Sequence, residues 1–236
     1  MDTDPHVAAV PTPLEATFVC RWAASLLLVP PCTDALATYA TPEGKTLLAA
    51  LRADPALAQT GEALSALTEA PDGLEIAASR LAAEHSRAFL VGGPQAVPPY
   101  ASVWRSEKGL LWQEPARQMA RLLRETGLVI DTGTPEPPDH LAIQLNLLAA
   151  LLEREAEGGE TPLPAAEFAH EHVMSWAPDL ATALRRRGYT VFYGGLIEGL
   201  IGFLRHNLAN QTEHQPGLAG REPALTGKPA TTNATI

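Results

Sequence analysis

Apolar side chains recur along this chain at the three- and four-residue spacing of an α-helix. In the most apolar segment, leucines occupy one face and its edge: Leu141, Leu145, Leu148, Leu152, Leu147 and Leu151. Because so much of its circumference is apolar, we expect this helix to be buried at the centre of the fold. No stretch shows the sustained alternation of apolar and polar residues that predicts a half-buried strand, and Leu128-Val129-Ile130 is too short to build a sheet.

Polar residues and prolines mark where the helices begin. Thr12-Pro13-Leu14-Glu15 offers an N-cap, a proline at the first helical position and a glutamate to complete a capping box. Thr41-Pro42 and Asp54-Pro55 repeat the cap-then-proline signal, and Asp72 with Glu75 opens another segment. Later helices are predicted at 114–127, 165–187 with a break near Pro178, and 190–210.

Two long connections interrupt these helices, at 92–113 and at 131–138. Loops of this length inside a compact domain are uncommon and often functional. From residue 211 onward, Gly, Pro, Thr, Asn and charges dominate, and such a segment buries too little apolar surface to fold. The pattern therefore predicts an all-α, single-domain bundle of roughly nine to eleven helices over residues 1–210, followed by a disordered tail at 211–236.

Composition narrows the class of protein. With 27 acidic and 17 basic residues the chain has a formal net charge of -10, which repels nucleic acid. Two cysteines, Cys20 and Cys32, are too few for a zinc site and fit a reducing compartment. The acidic N-terminus is unlike a secretory leader, and no apolar run reaches the roughly 18–20 residues that span a bilayer. We expect a cytoplasmic protein with no stable membrane insertion, and its oligomeric state is left undefined.

Enzyme motifs are largely missing. Gly44-Lys45-Thr46 resembles the end of a P-loop, but the first glycine of that motif would have to stand at Tyr39. The nearest group to a metal site is His170-Glu171-His172 with Glu167. On a helix His172 points away from the other three. We assign no catalytic residue, metal or cofactor, although a metal-dependent hydrolase using this His/Glu cluster stays open as an alternative.

Asp139-His140 is the remaining candidate for chemistry. Adjacent residues on a helix diverge by about 100°, so they seldom act as a hydrogen-bonded acid–base pair. Asp139 is better explained as the cap or first-turn charge of the central helix, where a carboxylate favours the positive end of the dipole. His140 is placed where the two long loops are expected to meet.

Three ordered segments of the chain carry recognisable motifs. Glu136-Pro137-Pro138-Asp139-His140 directly precedes the apolar helix. Upstream lie Phe89, Gly93-Pro94 and Pro98-Pro99-Tyr100-Ala101-Ser102-Val103-Trp104, and downstream lie Phe168, His172, Trp176 and Phe192-Tyr193.

In order and spacing these segments resemble motifs of one known family, the twin-arginine-linked molybdoenzyme chaperones of TorD, DmsD and NarJ type. Its motifs are E-x-x-D-H, F-x-G-P followed by P-P-x-x-S-V-W/Y, and F-x-x-x-H-x-x-x-W followed by F-Y. The chain departs from F-x-G-P, because Leu90-Val91-Gly92 stand between Phe89 and Gly93-Pro94.

The resemblance implies a chaperone and not an enzyme. Its partner would be the precursor of a molybdopterin oxidoreductase, bound through the apoenzyme and its twin-arginine leader, so that export waits for cofactor insertion. A NarJ-like role in nitrate reductase assembly is an alternative, and the Pro-Pro-Tyr…Val-Trp segment leans towards the TorD/DmsD side.

A twin-arginine leader has a basic front and a short apolar middle, so its receptor needs carboxylates beside apolar walls. The resemblance implies leader-binding residues in the signature and in the aromatic segment before it: Glu136, Pro138, Asp139, His140, Tyr100, Trp104 and Phe89. Glu136 and Asp139 would bind the arginines, and His140 would orient a leader carbonyl or titrate near neutral pH. Core packing is the preferred role of Phe89, as it is of His172, Trp176, Phe192 and Tyr193. For Trp104, core packing and leader binding are both left open.

Overall fold

The structure, a computed structural model, describes residues 14–90, 92–129, 136–189, 192–213 and 234–235. Within them lie eleven α-helices, in agreement with the predicted all-α bundle. The helices are α1 Ala16–Leu28, α2 Thr33–Thr38, α3 Pro42–Ala53, α4 Ala58–Thr68, α5 Leu74–His85, α6 Ala101–Arg105, α7 Glu114–Thr126, α8 Leu141–Ala156, α9 Ala165–Phe168, α10 Ala177–Arg186 and α11 Tyr193–Glu213. Two of them continue into π-helical segments, α5 into Ser86–Leu90 and α9 into Ala169–Met174.

Helix α8 forms the centre of the bundle. The six leucines that predict its burial are at most 7% exposed, and Ala142, Ile143 and Ala149 are buried as well. Helix α8 packs most extensively against α1, and α1 also packs against α11. Helices α3 and α4 pack against each other, and α4 also packs against α11. The buried apolar side chains form one continuous core.

Local signals place several helix starts correctly. Thr41 Oγ1 accepts the backbone N–H of Gly44 at 3.1 Å, and Pro42 is the first residue of α3, as the cap-then-proline signal predicts. After Asp54 the outcome differs. The Asp54 carboxylate accepts the N–H groups of Ala56 and Leu57 and closes a turn, and α4 begins only at Ala58.

Two other expectations are corrected and one is confirmed. The connection 92–113 contains the short helix α6, so it is not one uninterrupted loop. The predicted break near Pro178 is present at Ser175-Trp176, and Pro178 itself stands in the first turn of α10, where a backbone N–H would have no partner within the helix. Leu128–Val129 does pair, in parallel, with the two-residue strand Ala234–Thr235.

The chain ends fall largely outside the described residues. Thr12, Pro13 and most of the predicted tail, 211–236, belong to that part. Among the described residues, Glu15 is the N-cap of α1 and Ala16 its first residue, so this helix begins later than the Thr12-Pro13 signal predicts. Of the tail, residues 211–213 extend α11 and 234–235 form the second short strand. No helix in the described part of the chain is long and apolar enough to cross a membrane.

Candidate functional site

The two long connections meet in front of the central helix. Tyr100 and His140 form an isolated antiparallel bridge. On either side of it, the N–H of Leu141 donates to the Pro99 carbonyl at 2.8 Å and the N–H of Ala101 donates to the Asp139 carbonyl at 3.1 Å. We call the paired segments, residues 99–102 and 137–141, the clasp. The convergence of the two connections at His140 is thereby confirmed.

Asp139 is fully buried inside the clasp. Its Oδ2 atom accepts the backbone N–H of Ser102 at 2.6 Å, so the carboxylate sits at the positive N-terminal end of α6. The expectation that Asp139 caps the central helix is wrong. His140 does so instead, because its Nδ1 accepts the N–H of Ala142 at 3.1 Å.

His140 is 4% exposed and is neutral near pH 7. Burial, with a smaller effect of the nearby His85, lowers the pKa of His140 to about 4. Since Nδ1 accepts a hydrogen bond, the ring proton resides on Nε2. The expectation that His140 titrates near neutral pH is therefore wrong for the free protein.

Glu136 supplies the accessible negative charge of the site. The Tyr100 hydroxyl donates to Glu136 Oε2 at 2.5 Å, and the Tyr100 ring packs edge-on against His140 at 5.0 Å between centroids. Burial raises the pKa of Tyr100, and the bond to the Glu136 carboxylate raises it further. Glu136 itself is only half-buried, whereas Pro138 beside it is buried. A cation approaching the clasp meets Glu136 before any buried group.

Phe89 and Trp104, the other two aromatic residues predicted to bind the leader, pack largely against other residues of the chain. Phe89 is 5% exposed and packs edge-on between the rings of His85 and Tyr193, each 5.2 Å away. Trp104 is half-buried against the core, and its Nε1–H donates to the Pro98 carbonyl at 2.8 Å. Core packing is thus confirmed for Phe89, which offers little surface to a ligand in this conformation.

Sequence reasoning missed two residues of α5 that lie behind the clasp. His85 is buried, its Nε2 lies 2.9 Å from the Leu27 carbonyl oxygen, and burial lowers its pKa against an opposing effect of the Glu136 charge. Glu84 lies close to the backbone N–H groups of Phe192 and Tyr193 at the start of α11, and these groups oppose the rise in its pKa that burial causes. The one available signal was the four-residue spacing of His85 and Phe89, which puts them on one helix face.

Sequence reasoning also missed an exposed group of apolar side chains between α6 and α7. Leu110, Leu111 and Trp112 are 57%, 41% and 58% exposed. We call these three residues the apolar loop. The available signal was three large apolar residues between Gly109 and Gln113, outside any helical periodicity.

In the His/Glu cluster that suggested a metal site, Glu167, His170 and Glu171 are exposed, and His172 is half-buried. Across the described ranges, no three His, Cys, Asp or Glu side chains are grouped to hold a metal. His172 stacks on the ring of Phe168 at 5.0 Å. Trp176 is buried and its Nε1–H donates to the His172 carbonyl and to Gln144 Oε1. Trp176, Phe192 and Tyr193 are at most 1% exposed, which confirms their predicted packing role.

Known proteins match this chain over most of its length. The nitrate reductase delta subunit family matches residues 53–182. Chaperone protein TorD of Vibrio parahaemolyticus is 30% identical over 78% of this chain and 88% of its own length. Chaperone protein TorD of Ferrimonas balearica is 31% identical, and that of Aliivibrio fischeri 30% identical, each over 78% of this chain.

A solved structure, of a proposed redox enzyme maturation protein from Archaeoglobus fulgidus, aligns with a TM-score of 0.46 and 18% identity over 88% of this chain and 99% of that one. That alignment is distant, and the family assignment rests on the sequence matches. On those matches, the chain belongs to the TorD/DmsD/NarJ family of molybdoenzyme assembly chaperones, on its TorD branch.

Proposed function

We propose that this chain is a cytoplasmic chaperone that binds the twin-arginine leader and the apo form of a molybdopterin oxidoreductase, and that it catalyses no reaction. Binding delays export while the cofactor is inserted. Relatives named as TorD chaperones that cover 78% of the chain support this function. The same matches favour the TorD role over NarJ-like nitrate reductase assembly. No metal-ligand group within the described residues favours the hydrolase.

The observation that carries the proposal is the half-exposed Glu136 carboxylate at the edge of the clasp. A leader arginine presents a planar fork of N–H donors that pairs with a carboxylate through charge-assisted hydrogen bonds. Glu136 keeps one oxygen, Oε1, free of the Tyr100 bond, and the chain's net charge of -10 adds a long-range attraction for a basic peptide.

Asp139 and His140 have a different part in this proposal. Asp139 is 0% exposed and engaged with Ser102, so an arginine reaches it only if the clasp opens. We assign both residues to holding the clasp in shape, with Tyr100 aligning Glu136. Pro138 restricts the backbone next to Asp139, and the half-buried Trp104 contributes to the rim of the same surface.

The experiment is a calorimetric titration of the purified full chain with a synthetic twin-arginine leader, its Lys-Lys version and a scrambled version. We expect preference for the Arg-Arg leader. Glu136→Gln should weaken its binding about tenfold, because a charge-assisted hydrogen bond contributes about 1.5–3 kcal/mol. Glu107→Gln, which removes an exposed charge in the connection that follows α6, is the control and should bind like the wild type. Equal affinity for the leader and its scrambled version contradicts the proposal.

A further inference from the structure

The apolar loop is unusual for a surface that faces water. Three consecutive large apolar side chains, Leu110, Leu111 and Trp112, each leave two-fifths or more of their surface exposed. Single exposed apolar residues are ordinary on any protein, but a contiguous group framed by polar residues marks an interaction surface. The framing residues here are Lys108 on one side and Glu114 on the other.

The backbone holds the loop in its exposed position. Trp112 has φ +61°, a left-handed conformation that is uncommon for a bulky residue. Next to it, Gln113 is fixed twice, since its N–H donates to Ser102 Oγ at 3.1 Å and its Nε2 donates to the Leu111 carbonyl at 2.9 Å. A loop free to collapse would turn its apolar side chains inward, and these bonds oppose that.

The same bonds make the loop continuous with the clasp. Ser102 donates its N–H to Asp139 and accepts the N–H of Gln113, so one residue bonds to both segments. Ser102 is also only two residues from Tyr100, whose hydroxyl holds Glu136. The apolar loop is thus anchored, through Ser102, to the segment whose Tyr100 holds Glu136.

The size and charge of the loop indicate its occupant. At their observed exposures the three side chains present on the order of 300 Å², whereas a stable dimer interface needs about 800 Å² per partner. The loop alone is too small to hold a second copy of the chain. The apolar loop is large enough to bind a peptide segment that is already held at a neighbouring site, because a second contact then adds affinity even when it is small. The nearby Glu114 and Arg117 neutralise each other at 2.8 Å, which favours an uncharged segment.

We propose that Leu110, Leu111 and Trp112 bind the apolar middle of the leader whose basic front lies at Glu136. This inference rests on the proposed leader binding and locates its apolar half. Tyr100, Trp104 and Phe89 offer less exposed apolar surface for that purpose than the loop does.

A double-mutant cycle tests the assignment. Calorimetry would compare two synthetic twin-arginine leaders, one with an apolar middle of about 10–15 residues and one with that middle replaced by Gly, Ser and Thr. The chain variants are Leu111→Ser with Trp112→Asn, where asparagine tolerates the left-handed backbone, and Ile76→Ser as the control. Ile76 is 45% exposed and lies near the start of α5, nine residues before His85 and so at the opposite end of that helix from the clasp.

We expect the loop variant to bind the apolar leader at least tenfold more weakly than the wild type does, and to bind the polar leader as the wild type does. The control should behave as the wild type with both peptides. If the wild type prefers the apolar leader and the loop variant keeps that preference, the assignment is overturned while leader binding survives.

Two further outcomes are distinguishable. If the wild type binds neither leader, the proposed function fails together with the inference. If sedimentation shows a wild-type dimer that the loop variant converts to a monomer, a second copy occupies the loop, and the leader assignment is overturned on that ground.

Discussion

Asp139 and Ser102, 37 residues apart in the chain, are joined by a 2.6 Å hydrogen bond in which the backbone N–H of Ser102 donates to the buried carboxylate. The second oxygen, Oδ1, has no hydrogen-bond partner among the described residues. Oδ2 thus stabilises the start of α6, whereas Oδ1 is buried away from solvent.

Replacing Asp139 by alanine should destabilise the protein by about 1–3 kcal/mol, because the N–H of Ser102 is left buried without an acceptor. Asp139→Asn keeps an acceptor of the same shape and should lose less. Urea unfolding followed by circular dichroism measures both. An alanine variant as stable as the wild type contradicts the role given to this bond.

His140 should make stability depend on pH. Its pKa is about 4 in the folded protein, below the roughly 6.5 of an unfolded histidine. Its contribution is therefore complete above pH 6.5 and is lost as the pH falls from 6.5 towards 4, because the unfolded chain then takes up the proton first. The loss approaches about 1.4 kcal/mol per pH unit.

His140→Asn isolates this effect, since asparagine is a good N-cap that does not titrate. The stability advantage of the wild type over this variant should shrink between pH 7 and pH 4.5 in urea unfolding. His85 and His172, whose pKa values are also lowered by burial, remain in both proteins and cancel from the comparison. A difference that is constant with pH contradicts the prediction.

The two cysteines should differ in reactivity. Cys20 is fully buried, and burial raises its pKa to about 12, so its thiolate is scarce and unreachable. Cys32 is exposed. A disulfide reagent such as DTNB should release one equivalent of chromophore from the native protein and the second only in denaturant. With Cys32→Ser, the native protein should release none, and a prompt reaction there would contradict the buried position of Cys20.

Gly44 should resist replacement by alanine. A Cβ atom at this position would collide with the carbonyl oxygen of Thr38 and with the backbone of Tyr39. In an open helix, alanine would stabilise by up to about 1 kcal/mol relative to glycine. Here we expect the opposite sign, a loss of about 1–3 kcal/mol, as in other overpacked sites.

Gly92→Ala is the matched control, because its Cβ would meet no atom within 4 Å. Its urea midpoint should stay near that of the wild type. If both substitutions shift the midpoint equally, the close approach at Gly44 is not the cause.

Sequence reasoning succeeded where the determining interaction is local. The start of α3 follows from Thr41 and Pro42, which act within four residues. The burial of α8 follows from leucines that repeat along one helix. Both are properties that a short window of sequence contains.

Sequence reasoning failed where the hydrogen-bond partner is distant in the sequence. Asp139 accepts the N–H of Ser102, which is 37 residues away in the sequence. A local pattern therefore predicts Asp139 as the cap of the adjacent helix α8, whereas its carboxylate lies at the start of α6. The same holds for Glu84, which lies close to the start of α11 although the two are far apart in the sequence. The exposure of Leu110, Leu111 and Trp112 depends on the bond between Gln113 and Ser102, which no local pattern encodes.

The burial of most residues in the first three turns of α8 has a consequence for how the clasp moves. Leu141, Leu145 and Leu148 are 0% exposed, so this helix should be among the last to open, and its amides should show the slowest hydrogen exchange in the chain. His140 begins that helix and is bonded to it. We therefore expect the 137–141 half of the clasp to open only with α8, and any rearrangement on ligand binding to take place in the 99–102 half.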